Sequence, residues 1–206
     1  MATAVTLTCM LLAFPYAYFL VRVAGPRLRV ILLVATVLPL WVSYLVRVYS
    51  WRLILNPDGA LNWALDLVGL PDLNIAYTNW AMWVVFTYIW LPFMVLPVYA
   101  ALERVPQSYL EASADLGAHG PTTLRRVIFP LAVPGLAAGS IFTFSLTLGD
   151  YIAPSLVGGP GSSLIGTGVF ENLGLANNAP FAAAFATVPL AIMAVYLVIT
   201  VSYTHL

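Results

Sequence analysis

An all-α bundle of membrane-spanning helices is the fold this sequence predicts. Two compositional facts and one spacing argue for it. Hydrophobic residues make up 62% of the 206 and charged residues only 8%, with a mean hydropathy of +0.94; no soluble domain has enough interior to hide that much apolar surface. The apolar residues also fall into long stretches, and a span needs about 20 of them at 1.5 Å rise each. Five windows qualify, roughly 3–22, 30–49, 80–101, 131–150 and 181–203, and residues 1–206 read as one transmembrane domain.

The first window carries Cys9, which as the lone cysteine excludes an internal disulfide and serves as a small apolar side chain. It lacks a basic segment before it and is interrupted by Pro15, so it is not a cleavable signal. All eight basic residues are arginine. Arg22, Arg27 and Arg29 flank the first turn, and Arg104, Arg125 and Arg126 lie between the third and fourth windows, while only Arg47 and Arg52 fall on the opposite side. The positive-inside rule makes those two arginine-bearing loops cytoplasmic.

The stretch 50–79 is too long for a simple turn. Leu61, Ala64, Leu65 and Val68 recur at helical spacing with Asn62 and Asp66 on the other face, between Pro57-Asp58-Gly59 and Gly69 with Pro71. Trp51, Trp63, Tyr77 and Trp80 place this amphipathic element at headgroup depth. In the fourth window Gly135, Gly139 and Thr143, with Ser145 and Gly149, form a stripe of small residues that reads as a helix-packing surface in preference to a pore lining. Pro39, Pro92, Pro97, Pro134 and Pro189 each free a carbonyl and permit a bend.

The most informative segment is a polar island, EASADLGAHGPTTLRRVIFP, at 111–130. Ser108-x-x-Glu111 has the form of a capping box, so a short helix is expected to begin near Tyr109. Ala112, Ser113 and Ala114 would give that helix a low-relief surface for another protein. Gly117 can take the positive φ that ends it, and Gly120-Pro121 restarts a second helix with Pro121 in its first turn.

This pattern resembles the cytoplasmic coupling loop of ABC importer permeases, in which Glu-Ala-Ala, three residues, Gly, nine residues and Ile-x-Leu-Pro occur in order. Glu111, Ala112, Ser113, Gly117 and Pro130 stand at those positions, with Ser113 for the second Ala, Val127 for Ile and Phe129 for Leu. The segments LVRVYSWRLILNPDGALNWALDLVGL, YIWLPFMVLPVYAAL and LGDYIAPSLVGG are similar to the spermidine/putrescine branch of that family, and together they extend the resemblance over nearly the whole chain.

The resemblance implies a multi-pass permease of a bacterial-type inner membrane, with the type I importer fold and a coupling loop at 102–130. It implies that the chain forms half of a translocation pathway and pairs with a second permease. Two copies of an ATP-binding subunit and an extracytoplasmic solute-binding protein complete the assembly, in which this chain holds no cofactor and meets no nucleic acid. Such permeases have six spans with both ends cytoplasmic, so five windows with Met1 outside lead us to expect an N-terminal truncation. The Ser202–Leu206 end, without a basic tail, is expected to be incomplete or foreign. The implied cargo is a small organic cation of the polyamine class, spermidine or putrescine; another small solute carried by the same family is the alternative.

Other chemistries fit poorly. Gly158-Gly159-Pro160-Gly161-Ser162-Ser163 lacks the lysine of a phosphate-binding loop, so the chain is not itself the ATPase. His119 and His205 are too few and too far apart for a metal site, and neither pairs with Ser or Cys as a hydrolase would need. A secondary transporter would carry ionisable groups in mid-membrane, whereas Asp150 lies at a span end. On the expected outer side two arginines face Asp58, Asp66, Asp72, Asp150 and Glu171. An acidic mouth near Asp150, Tyr151 and Glu171 would attract a cation, with Tyr151 adding a ring face. Asp150 has a second reading, a hydrated carboxylate or a partner of Arg47 or Arg52.

Overall fold

Among the described residues, eleven α-helices follow the apolar windows and the polar breaks between them. They are α1 (Ala2–Arg22), α2 (Pro26–Val37), α3 (Tyr44–Ile54), α4 (Ala60–Val68), α5 (Asn79–Glu103), α6 (Gln107–Asp115), α7 (Gly120–Thr123), α8 (Phe129–Gly149), α9 (Ile152–Val157), α10 (Ile165–Gly174) and α11 (Ala179–Thr204). The structure is a computed structural model that describes residues 1–174 and 176–204. His205 and the last residue of the unusual C-terminal end lie outside them. Among the described residues four helices are long and apolar enough to cross a membrane, namely α1, α5, the continuous run Gly120–Gly149 ending in α8, and α11.

The second window, 30–49, is not one straight span. Pro26–Trp41 and Tyr44–Ile54 meet at 98°. Pro39 has no N–H to return to the preceding turn; the chain tightens into a 3₁₀ turn at Leu38–Trp41, and Val42 and Ser43 take extended ψ values of 138° before α3 begins. The expectation of an unbroken 30–49 helix is therefore corrected, and the bend swings α3 against α9 and α5.

The core is α5, packed between α1 and α8. Trp83 Nε1 donates to Thr8 Oγ1 at 3.2 Å and the Cys9 thiol approaches the Thr87 carbonyl at 3.7 Å, so α1 and α5 run parallel. Against α8 the direction reverses. A Cβ added at Gly135 would lie 2.6 Å from the Pro97 carbonyl and the Ala101 Cβ, and one at Gly139 would lie 2.6 Å from Met94 Sδ. Packing is thus the role of this part of the stripe: with lipid tails as apolar as the side chains, close backbone approach supplies the attraction.

Hydroxyls within the spans are satisfied locally. Thr36, Thr87, Thr147 and Thr200 each donate to the carbonyl four residues back at 2.7–2.8 Å. Between helices, Tyr16 reaches the Leu32 carbonyl and Thr36 of α2, and Tyr196 of α11 donates to Ser140 of α8 at 2.7 Å.

The loop helix α4 forms where its periodicity predicts, ending at Gly69 with φ +72°. Asn62 is not on a solvent face as expected. It is buried, donating to the Pro57 carbonyl at 2.9 Å and accepting from Leu73 N–H at 3.0 Å, and so ties together the two turns that flank α4.

The α5–α8 contact yields a test. Gly135→Val is expected to lower stability by ~1–3 kcal/mol, the range for overpacking a close-packed contact, whereas Gly149→Ala, whose added carbon meets nothing within 4 Å, should leave it unchanged. Thermal midpoints of the purified protein in detergent check both.

Candidate functional site

The candidate side chains gather in two groups, one at each end of the bundle. At the arginine-rich end, α6 leaves α5 through Arg104–Pro106 and is followed by α7. Its start differs from the expected capping box: Pro106 is the N-cap residue, no side-chain cap bond forms, and Ser108 already sits inside the helix. Proline restrains the entry instead: its ring fixes φ, here −63° with an extended ψ of 145°, and so sets the N-cap geometry from which the helix starts at Gln107.

The other end of α6 forms as the sequence predicts. Gly117 takes φ +77°. Its N–H bonds the Ala114 carbonyl at 2.8 Å and Ala118 N–H bonds the Ser113 carbonyl at 3.0 Å, a Schellman closure that satisfies two otherwise free carbonyls. The chain then turns through His119, whose carbonyl accepts from Thr122 and Thr123, and Pro121 stands in the first turn of α7.

Ser113 does not lie on an open surface as expected. It is buried, and its hydroxyl shares a 2.9 Å hydrogen bond with Thr123 of the next helix. A small residue is needed there to let α6 and α7 approach each other. The open surface is made by other residues: Tyr109, Ala112, Leu116 and His119 line a groove of about 610 Å³, and Leu116 is 88% exposed at its tip. Glu111 is also exposed.

After α7 a π turn, Leu124–Ile128, carries the chain into α8, with Phe129 N–H reaching back to the Leu124 carbonyl. Pro130 follows immediately. Its ring cannot sit over the carbonyl four residues back in a regular α turn, and the widened turn accommodates it.

The opposite end centres on Asp150. One carboxylate oxygen accepts the Tyr44 hydroxyl; the other accepts Ile152 N–H at 2.8 Å and Ala153 N–H at 3.0 Å, capping α9. Burial raises the Asp150 pKa above the usual carboxylate range, while the Tyr44 hydroxyl and the two amides pull it the other way. Neither expected arginine pairs with it. Arg47 lies over the Tyr44 ring at 5.9 Å, and Arg52 donates to the Tyr77 hydroxyl at 3.3 Å.

Tyr44 also stacks on Trp90 of α5, with ring centroids 5.7 Å apart. Tyr44, Trp90, Ser145, Gly149, Asp150 and Tyr151 border a cavity of about 310 Å³. Tyr151 stacks on Phe170 at 4.5 Å, which holds α10, and with it the exposed Glu171, against this end of the bundle. Sequence reasoning missed Tyr44 and Trp90. Tyr44 lies 106 residues from Asp150 and reaches it through the bend after Pro39, which has no signature in spacing alone.

Residues 10–206 match the family model described as binding-protein-dependent transport system inner membrane component. The chain belongs to this family. An inner membrane ABC transporter permease protein, YdcU of Escherichia coli (strain K12), is 48% identical over 96% of this chain and 67% of its own length. The spermidine/putrescine transport system permease protein PotB of the same organism is 36% identical over 81% of this chain and 61% of its own length. A bacterial alginate ABC transporter, solved with a periplasmic protein bound to an alginate pentasaccharide, superposes with a TM-score of 0.75 over 95% of this chain and 74% of that one, at 18% identity, a likeness of fold.

The chain spans about three-fifths to two-thirds of the length of the curated relatives it matches. Family membership agrees with the several apolar spans and places the chain in the inner membrane.

Both sites can be perturbed separately. Gly117→Val is expected to cost ~1–3 kcal/mol through its left-handed backbone and to speed amide exchange over 113–118 without altering the spans. Tyr44→Phe removes a hydrogen bond to a buried carboxylate, worth ~1.5–3 kcal/mol, and should lower the thermal midpoint by a correspondingly larger amount than Tyr77→Phe at the exposed Arg52 contact.

Proposed function

We propose that this chain is the permease subunit of an ATP-driven importer, contributing half of the translocation pathway for a small organic cation of the polyamine class. The observation that carries the importer reading is the double helix α6–α7, closed at Gly117 and presenting an open groove at the arginine-rich end. Glu111 and Ala112 face outward from it, Ser113 and Gly117 hold its shape, and Pro130 sets how α8 leaves it.

In this reading an ATP-binding subunit receives α6 in a cleft, with Leu116 supplying apolar contact. Two such subunits, one under each permease, close around ATP and turn the spans from inward- to outward-facing as rigid bodies. ATP hydrolysis belongs to that partner. This chain makes no covalent bond; it converts displacement of α6–α7 into movement of α5 and α8, to which they are joined through short connections. An extracytoplasmic binding protein delivers the solute at the other end, beside Asp150, Tyr151 and Glu171.

The cation reading is supported by a carboxylate set among Tyr44, Trp90 and Tyr151, since aromatic faces attract an ammonium group, and by similarity to spermidine/putrescine permeases. Asp150 is engaged by Tyr44, so a bound ammonium would compete with that hydroxyl.

Two measurements test this. In the assembled complex, cysteines at Ala112 and Leu116 are expected to crosslink to the ATP-binding subunit while cysteines in 158–163 do not; the reverse pattern overturns the orientation and the docking together. In vesicles holding the complex, putrescine and spermidine uptake should saturate and fall at least roughly tenfold in Asp150→Asn, the effect of losing ~1.4 kcal/mol. Saturable uptake of a neutral or anionic solute without polyamine competition would replace the cargo and leave the importer reading intact.

A further inference from the structure

Arginine side chains join the helices at the coupling end in a specific order. Arg29 of α2 donates to the Leu20 and Val21 carbonyls at 2.9 Å, closing the last turn of α1, and lies 3.9 Å from Glu103 at the end of α5. Arg22, the last residue of α1, points the other way. Its Nη2 donates to the Val105 carbonyl at 2.9 Å, its Nη1 reaches Gln107 Oε1 at 3.4 Å, and its Nε is buried. Val105 lies in the three-residue joint between α5 and α6, and Gln107 is the first residue of α6.

We infer that Arg22 is a positioning residue of the coupling machinery: a strut that makes α1 move with the coupling helix. The inference rests on the reading of α6 as the docking helix. Displacement of α6 reaches α5 through the Arg104–Pro106 joint and α8 through α7, both by covalent connection. No covalent path of comparable length leads to α1, which is separated in sequence by α2 to α5. At the cytoplasmic end the guanidinium of Arg22 supplies that link. It grips the joint itself through a backbone carbonyl that would otherwise have no helical partner, and it grips the first turn of α6 through Gln107. A planar fork suits two acceptors set at different angles, where a lysine ammonium would act as a point charge.

A purely structural cap would stabilise the joint without affecting how α1 responds to ATP. The test is therefore made in the full-length permease assembled with its partners in lipid vesicles, with spin labels at the exposed Leu12 of α1 and Ser108 of α6. In the parent the distance between them should be the same without nucleotide and after trapping with ATP and vanadate. In Arg22→Met, which keeps the apolar stem, the distance should change on trapping, and ATP consumed per putrescine imported should rise roughly tenfold. Arg22→Lys should fall between the two. If Arg22→Met cannot be assembled, Arg22→Gln and Gln107→Ala provide the same readout with smaller shifts.

Unchanged distance and unchanged ATP consumption in these variants overturn the inference. Leu116→Arg, measured alongside, separates the two readings: if it leaves the ATP-binding subunit bound and hydrolysis coupled, the docking of α6 has failed, whatever Arg22 does.

Discussion

The close approach of α5 and α8 is the constraint on which the rest of the structure depends. In a membrane the burial of apolar side chains from lipid gains little, so helices adhere where backbones can come near. Gly135 and Gly139 permit that, against Pro97, Ala101 and Met94. With α5 and α8 held antiparallel, the segment joining their arginine-rich ends becomes a short, anchored loop. The small helices α6 and α7 can then keep a defined shape in water, because both ends are tied to rigid spans and their own turn is closed at Gly117.

Polar groups are used sparingly and mostly to join elements. At the arginine-rich end Arg22 and Arg29 satisfy carbonyls at helix ends that would otherwise be free, and in doing so they link α1, α2, α5 and α6. At the other end Asp150 plays the same part with opposite charge: it caps α9 and draws Tyr44 of α3 onto the C-terminal end of α8. Charge-assisted hydrogen bonds are stronger than neutral ones, so a few suffice. The two ends differ in consequence. One presents an open groove beside an exposed leucine, suited to a protein partner, and the other a cavity walled by aromatic rings around a carboxylate, suited to a small ligand.

Most of the spans were legible because the physical demand on them is local. Twenty apolar residues in a row have few alternatives to a helix, which alone satisfies every backbone group within its own segment. The turn at Gly117 and the restart at Pro121 were legible for the same reason, since backbone freedom or restriction at one residue decides them. The helix start was misread: Ser108 and Glu111 have the capping pattern, but Pro106 starts the helix two residues earlier and removes the need for it.

Composition, span length, arginine placement and the order of glycine and proline in the 111–130 segment were thus determined by the sequence, as was the family resemblance that the matches bear out. Only the tertiary structure decided the 98° break between α2 and α3, the burial of Ser113 against Thr123, the inward turn of Asn62, and the meeting of Tyr44 with Asp150. Each of these depends on which side of a helix faces a neighbour distant in the chain. Spacing within one segment does not encode that, because it is set by the packing of α5, α8 and the elements that fold across their ends.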